Sequence, residues 1–229
     1  MDIILIAGLW LDASAWDAVV PELERRGHRA IPVTLPGQGD GAATATLDDQ
    51  ANAVLAAVDA ARRPCVVGHS AACALAWTAA DRRPDAISSV ALVGGFPSAD
   101  GEPYAPPFPV VDGGMPFPGW EPFEGPDSSD LDPATKDWMA GAAIPVPEGV
   151  ARGVVHLSDE RRWSVPVTVI CPEFTPAQAQ EWIDGGDVPE LARAEQVELV
   201  DLDSGHWPMF SAPVEFARVI AEAAEAHSE

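Results

Sequence analysis

Two short segments of this chain hold side chains that together could act on a carbonyl carbon. In Gly68-His69-Ser70-Ala71-Ala72 a serine stands between an apolar run at 65–67 and a string of small residues. In Asp203-Ser204-Gly205-His206-Trp207 a histidine lies 136 residues beyond that serine, just before the last helical pattern. A serine hydroxyl does not ionise near neutral pH, so it becomes a nucleophile only beside a base, and imidazole is suited to that task. The pentapeptide is a G-x-S-x-G variant with alanine last. A strand that turns straight into a helix strains the serine backbone and crowds the residues two before and two after it, and Gly68 and Ala72 are small enough for that turn. The alternative for Ser70 is a plain helix N-cap, and for His206 a surface loop histidine. His69 is adjacent to the serine and would point away from it, so it is read as structural.

The surrounding pattern supplies elements able to hold these residues. Strand-like runs at 3–7, 29–33, 65–67, 87–93, 165–171 and 197–202 alternate with helical patterns. The first helix is expected to carry Trp16, Val19, Val20 and Leu23, and the second Leu47, Ala51, Val54, Leu55 and Val58 behind a Thr46 N-cap with Asp49. Further helices are expected from about 71 to 82, over 177–183 and over 213–226. Arginine pairs at 25–26, 62–63 and 82–83 suit the negative ends of three helix dipoles. Such alternation implies an α/β fold, a mostly parallel, doubly wound sheet with helices on both faces. Ligands of such sheets bind at the carboxyl ends of the strands, where both Ser70 and His206 fall.

Between about 97 and 162 the composition changes. Twelve of the 23 prolines fall between Pro97 and Pro147, interleaved with Tyr104, Phe108, Phe117, Trp120, Phe123 and Trp138. The segment is expected to be an irregular cap inserted in one domain spanning 1–229, with a short helix near 133–143; the alternative is a long surface loop. Trp10, Phe96, Trp120 and Trp138, which follow strand ends or sit in the cap, are candidate pocket walls. The formal net charge of −23 argues against binding a phosphate backbone and favours a neutral small-molecule substrate. Three cysteines without metal spacing, and histidines scattered at 28, 69, 156, 206 and 227, lead to the expectation of no metal and no cofactor. No apolar run is long enough for a membrane span or a signal peptide, so no membrane partner and a cytoplasmic location are expected. Oligomeric state is left open.

The segments 4–40, 66–72 ("VVGHSAA") and 203–220 ("DSGHWPMFSAPVEFARVI"), in this order, resemble the α/β-hydrolase superfamily, with a weaker likeness to its small esterase and hydroxynitrile-lyase branch. The resemblance implies Ser70 as nucleophile, His206 as base, and the backbone N–H groups of Leu9 and Ala71 as an oxyanion hole. Two departures stand out. The family usually has His-Gly after the first strand, where this chain has Ala7-Gly8, so the hole is expected to survive with altered support. The triad aspartate of the family falls at Thr175, which leaves Glu173, Asp203 or Asp100 as the acid behind His206, or none. The implied activity is a cofactor-independent serine hydrolase acting on a small, mainly apolar ester or lactone. The alternatives are a lyase of the same fold, cleaving a cyanohydrin-type substrate with help from the sole lysine, Lys136, or a pseudoenzyme that binds a ligand without turnover.

Overall fold

The computed structural model describes residues 1–227. In chain order its elements are β1 (Asp2–Ile6), α1 (Val20–Arg25), β2 (Arg29–Pro32), α2 (Leu47–Ala60), β3 (Cys65–His69), α3 (Ala72–Arg82) and β4 (Ser89–Val93). The proline-rich segment contributes β5 (Gly114–Met115), α4 (Pro133–Ala142), β6 (Val146–Pro147) and α5 (Glu148–Ala151). The chain then completes the core with β7 (Val167–Cys171), α6 (Pro176–Gly185), α7 (Pro189–Arg193), β8 (Val197–Asp201), α8 (Pro208–Ser211) and α9 (Pro213–Glu225). Six strands pair in parallel in the order β2-β1-β3-β4-β7-β8, with Ile4 opposite Ile31 on one side and Val66 on the other. β5 and β6 form a separate antiparallel pair.

The two faces of the sheet follow from the alternation of side chains along a strand. Ile4, Ile6, Val66, Val90, Leu92, Val167 and Val169 join one buried cluster with the apolar stripe of α2 and with α3. Their neighbours Ile3, Leu5, Cys65, Val67, Ala91, Val93 and Ile170 join the other, with Leu23 of α1 and Phe216 and Ile220 of α9. Both faces are covered, so the central strands are buried at every residue.

Two local expectations change. The first helix is broken into a 3-10 turn at Ala13–Trp16 and α1, because Pro21 cannot sit inside a longer helix without losing a hydrogen bond and clashing with the preceding turn. The second arginine pair does not cap α2: that helix has no cation in its last turn, and the Arg62 N–H donates to Asp2 instead (2.9 Å). The third pair does end α3, with Arg82 in its last turn, and it also reaches α2, with Arg83 forked onto Asp59 and Arg82 on Asp48. Thr46 and Asp49 do form the reciprocal cap of α2.

Chain order places the site. From β1 the chain moves outward to β2, then returns to the opposite side of β1 at β3. The carboxyl ends of β1 and β3 therefore diverge, and a crevice opens between the loops that follow them. Ser70 follows β3 and Leu9 follows β1.

Candidate active site

Ser70 has φ 57°, in the left-handed region that a side chain rarely occupies. The turn is enforced from both ends. The Ser70 N–H donates to the Val93 carbonyl (2.8 Å), extending the β3–β4 ladder by one bond, while α3 begins two residues later. A Cβ on Gly68 would stand 2.4 Å from the Ala72 carbonyl oxygen, so the turn closes only with glycine there. Holding a non-glycine residue in this conformation costs roughly 1–3 kcal/mol, borne by the packing of β3 and α3 around it.

His206 lies across the crevice, with its Nε2 2.9 Å from Ser70 Oγ and its Nδ1 2.7 Å from Glu173 Oε1. A carboxylate oxygen accepts, so Nδ1 carries the hydrogen and the Nε2 lone pair faces the hydroxyl. Both side chains are about seven-eighths buried. Such a line can take a proton from a hydroxyl while the carboxylate steadies the resulting imidazolium. Gly94, at the end of β4 with φ +56°, makes room for it: a Cβ there would lie 3.1 Å from His206 Nδ1 and 3.2 Å from Glu173 Oε2.

Of the three acids considered, Glu173 alone reaches His206. Thr175, at the position of the family's aspartate, caps α6: its hydroxyl accepts from the Gln178 N–H, and its own N–H donates to the Gln178 side chain. Asp100 accepts the Leu157 N–H, 2.9 Å away. Asp203 is exposed, and among the described residues its carboxylate accepts no hydrogen bond. That turn is held by Asp130, which accepts the Gly205 N–H at 2.7 Å. The His206 N–H donates to the Asp127 carbonyl (2.7 Å), and His69 Nε2–H donates to the His206 carbonyl (2.7 Å). His69 is therefore a brace for the His206 backbone. Burial, helped by the nearby His206, pushes its pKa down to about 3, so the ring stays neutral.

Among the described residues the backbone N–H groups of Leu9 and Ala71 donate to no protein acceptor. A cavity of about 460 Å³ opens beside Ser70, walled by Leu9, Trp10, Ala71, Phe96, Tyr104, Phe108 and Phe123, with Ser98 and Glu102 among its polar side chains. Two of the expected wall residues lie elsewhere. Trp120 packs edge-on against Trp207 (5.2 Å between ring centroids), and Trp138 is 54% exposed against Phe210. Both belong to the proline-rich segment, whose composition announces aromatic packing but not which ring faces inward. Phe117 and Phe123 stack with each other and meet Trp10 edge-on, while Phe123 and Trp120 meet Trp207. The aromatic cluster thus joins the loop after β1 to the residue following His206. Tyr104, Phe108 and Phe123 were not expected as walls, since nothing in their spacing distinguishes them from the other aromatics of the segment.

A family model described as the alpha/beta hydrolase family matches residues 3–219. The chain belongs to the alpha/beta hydrolase family. No curated protein matches this alpha/beta hydrolase in sequence. Solved structures do match it in fold. One is an extracellular α/β-hydrolase from a Paenibacillus species, described as sharing structural and functional homology with tobacco salicylic acid binding protein 2. It has 18% identity and a TM-score of 0.79, with 98% of this chain and 99% of that one covered. Another is a methylesterase from Arabidopsis, at 16% identity and a TM-score of 0.77, with 99% of each chain covered. A third is a pyrethroid hydrolase from Sphingobium faniae, at 24% identity and a TM-score of 0.74, with 99% of this chain and 98% of that one covered. Among the described residues no helix is long and apolar enough to cross a membrane.

Proposed function

We propose that this alpha/beta hydrolase is a serine esterase or lactonase that cleaves a small, mainly apolar carboxylic ester through an acyl-enzyme on Ser70. The observation that carries the reading is the hydrogen-bonded line Ser70–His206–Glu173, at 2.9 and 2.7 Å, opening onto an apolar cavity. Ser70 Oγ adds to the ester carbonyl as His206 Nε2 takes its proton, and the carbonyl π pair moves onto oxygen. The Leu9 and Ala71 N–H groups meet that oxyanion, a contribution typically worth about 10²–10³ in rate per donor. When the tetrahedral adduct collapses, the C–O bond to the alcohol breaks and the imidazolium returns the proton to the departing oxygen. Water then repeats the sequence on the acyl-enzyme, and Glu173 steadies the imidazolium at each step. The proline-rich segment acts as the cap that shapes the acyl pocket. The esterase and hydrolase names of the structural relatives agree with this reading.

The lyase alternative calls for a cation over the pocket. Lys136 instead lies over the ring of Trp120, and among the described residues lining the cavity there is no lysine or arginine. A fluorophosphonate probe tests the proposal. Stoichiometric labelling at Ser70, abolished in Ser70→Ala and strongly slowed in His206→Ala, is the expected result. Folded wild-type protein that leaves the probe unreacted would refute it.

A further inference from the structure

The loop after β1 has no histidine to support it, because Ala7 stands where the family usually has one, and its carbonyls are held in another way. Gln38 is 1% exposed and lies in the turn after β2. Its Nε2 donates to the Gly8 carbonyl at 2.8 Å and to the Leu11 carbonyl at 2.6 Å. Its Oε1 accepts from Nε2 of the fully buried Gln50 on α2 (2.9 Å), whose amide also donates to the Pro36 carbonyl (2.9 Å). Main-chain carbonyls can only accept, so the orientation of both side-chain amides is forced.

We propose that Gln38, seated by Gln50, is a positioning residue that aims the Leu9 N–H at the oxyanion. The inference rests on the esterase reading above. Gly8 C=O and Leu9 N–H belong to one planar trans peptide, so they point in opposite directions and turn together. A donor fixed on the oxygen side therefore sets the direction of the N–H on the other. That peptide lies against the serine turn: a Cβ on Gly8 would be 3.0 Å from Ser70 Cβ and 2.9 Å from His69 Nδ1. The next residue, Trp10, is held at φ 64°, a conformation the loop would relax out of without restraint. Donation to the Gly8 carbonyl also polarises the peptide and strengthens its N–H as a donor. The support is a relay from α2 to the β2 turn to the β1 loop, and neither Gln38 nor Gln50 lines the cavity.

The test is steady-state hydrolysis of p-nitrophenyl butyrate by wild type, Gln38→Leu, Gln38→His and Gln50→Leu, with melting temperatures alongside. In Gln38→Leu, kcat is expected to fall about 10- to 100-fold, a part of what deleting an oxyanion donor removes, while KM changes less than threefold. Affinity for a trifluoromethyl ketone, which forms the tetrahedral adduct, falls by the same factor as kcat. Gln38→His, returning one N–H, recovers part of the loss, and Gln50→Leu, which leaves Gln38 in place but loosened, loses several-fold. An unchanged kcat, or kcat and KM that worsen together in step with the melting temperature, would overturn the assignment. Crystal structures of wild type and Gln38→Leu separate this inference from the esterase reading. A rotated Gly8–Leu9 peptide supports the relay even if no ester is turned over, and an unmoved peptide refutes it even if wild type labels at Ser70.

Discussion

Replacing Glu173 by glutamine removes one charge from the line behind Ser70 with almost no change in volume. The carboxylate and the imidazole are in direct contact (2.7 Å) and mostly buried, so little solvent screens the pair. Opposite charges about 4 Å apart attract by about 4 kcal/mol at an effective dielectric of about 20, and that attraction exists only while His206 holds the proton. Losing it raises the barrier by a similar amount, which is about 10³ in kcat. A second effect adds to the first. A glutamine whose N–H turned toward Nδ1 would stabilise the tautomer with hydrogen on Nε2, which cannot accept the serine proton; loss of orientation of this kind can cost about 10⁴. Glu173→Gln is therefore expected to lower kcat on p-nitrophenyl butyrate by about 10³- to 10⁴-fold, with KM nearly unchanged. Stability should change little, because Glu173 Oε2 is buried without a partner and its desolvation is relieved in the amide. Asp203→Asn and Asp100→Asn are the controls and should keep kcat within about twofold. A Glu173→Gln enzyme within tenfold of wild type, or an Asp203→Asn enzyme as impaired as Glu173→Gln, would refute the assignment of the acid.

Gly94→Ala should both strain the chain and push His206 from Glu173. We expect a loss of about 1–2 kcal/mol in urea unfolding from the left-handed backbone and a fall of at least about tenfold in kcat. His69 couples stability to pH. Its folded pKa is depressed to about 3 by burial, whereas the unfolded chain takes up the proton near 6.5. The unfolded state thus binds more protons as pH falls from about 6.5 to about 3, and stability present above 6.5 is lost on acidification, about 2 kcal/mol of it by pH 5. His28, also lowered mainly by burial, acts in the same sense, and Asp127, raised by burial, in the opposite one. Urea midpoints at pH 7 and pH 5 should therefore differ less in His69→Gln than in wild type. Arg162 lies between two buried carboxylates, forked onto Glu190 (2.7 and 3.2 Å) and bonded to Asp81 (3.2 Å). Arg162→Ala removes the cation from both and should cost about 3–5 kcal/mol in chemical denaturation.

What could be read from the sequence is what short stretches of chain decide. The strand-to-helix turn needs small residues on either side of Ser70, the capping box of α2 closes over three residues, and alternating apolar runs imply a sheet covered on both faces. Each is set within a few residues of backbone geometry, so residue type and spacing suffice to find it. Even here Pro21 split a helix that periodicity ran together. The position of His206 at the same sheet edge as Ser70 follows from strand direction alone.

Other features depend on how far a side chain reaches after distant elements pack, and these belong to the tertiary structure. Three carboxylates were candidates for one role, and the packing of β7 beside β4, with Gly94 bare between them, put Glu173 against His206. Thr175 caps α6, while Glu173, two residues earlier, reaches His206. Gln38 and Gln50 carry no local signature, since their partners, each other and main-chain carbonyls, lie 12 to 30 residues away and each glutamine read alone is an ordinary polar residue. Trp120 and Trp138 show the same limit from the other side. Composition calls for aromatic packing in the proline-rich segment, but which ring meets the cavity is decided by irregular backbone that has no period to read. Sequence alone determined the sheet, the serine turn and the histidine edge because those are local geometry. Only the folded chain brought Glu173 to His206, Phe96, Phe108 and Phe123 to the cavity and Gln38 to the Gly8 carbonyl, because each is a meeting of side chains from separate elements.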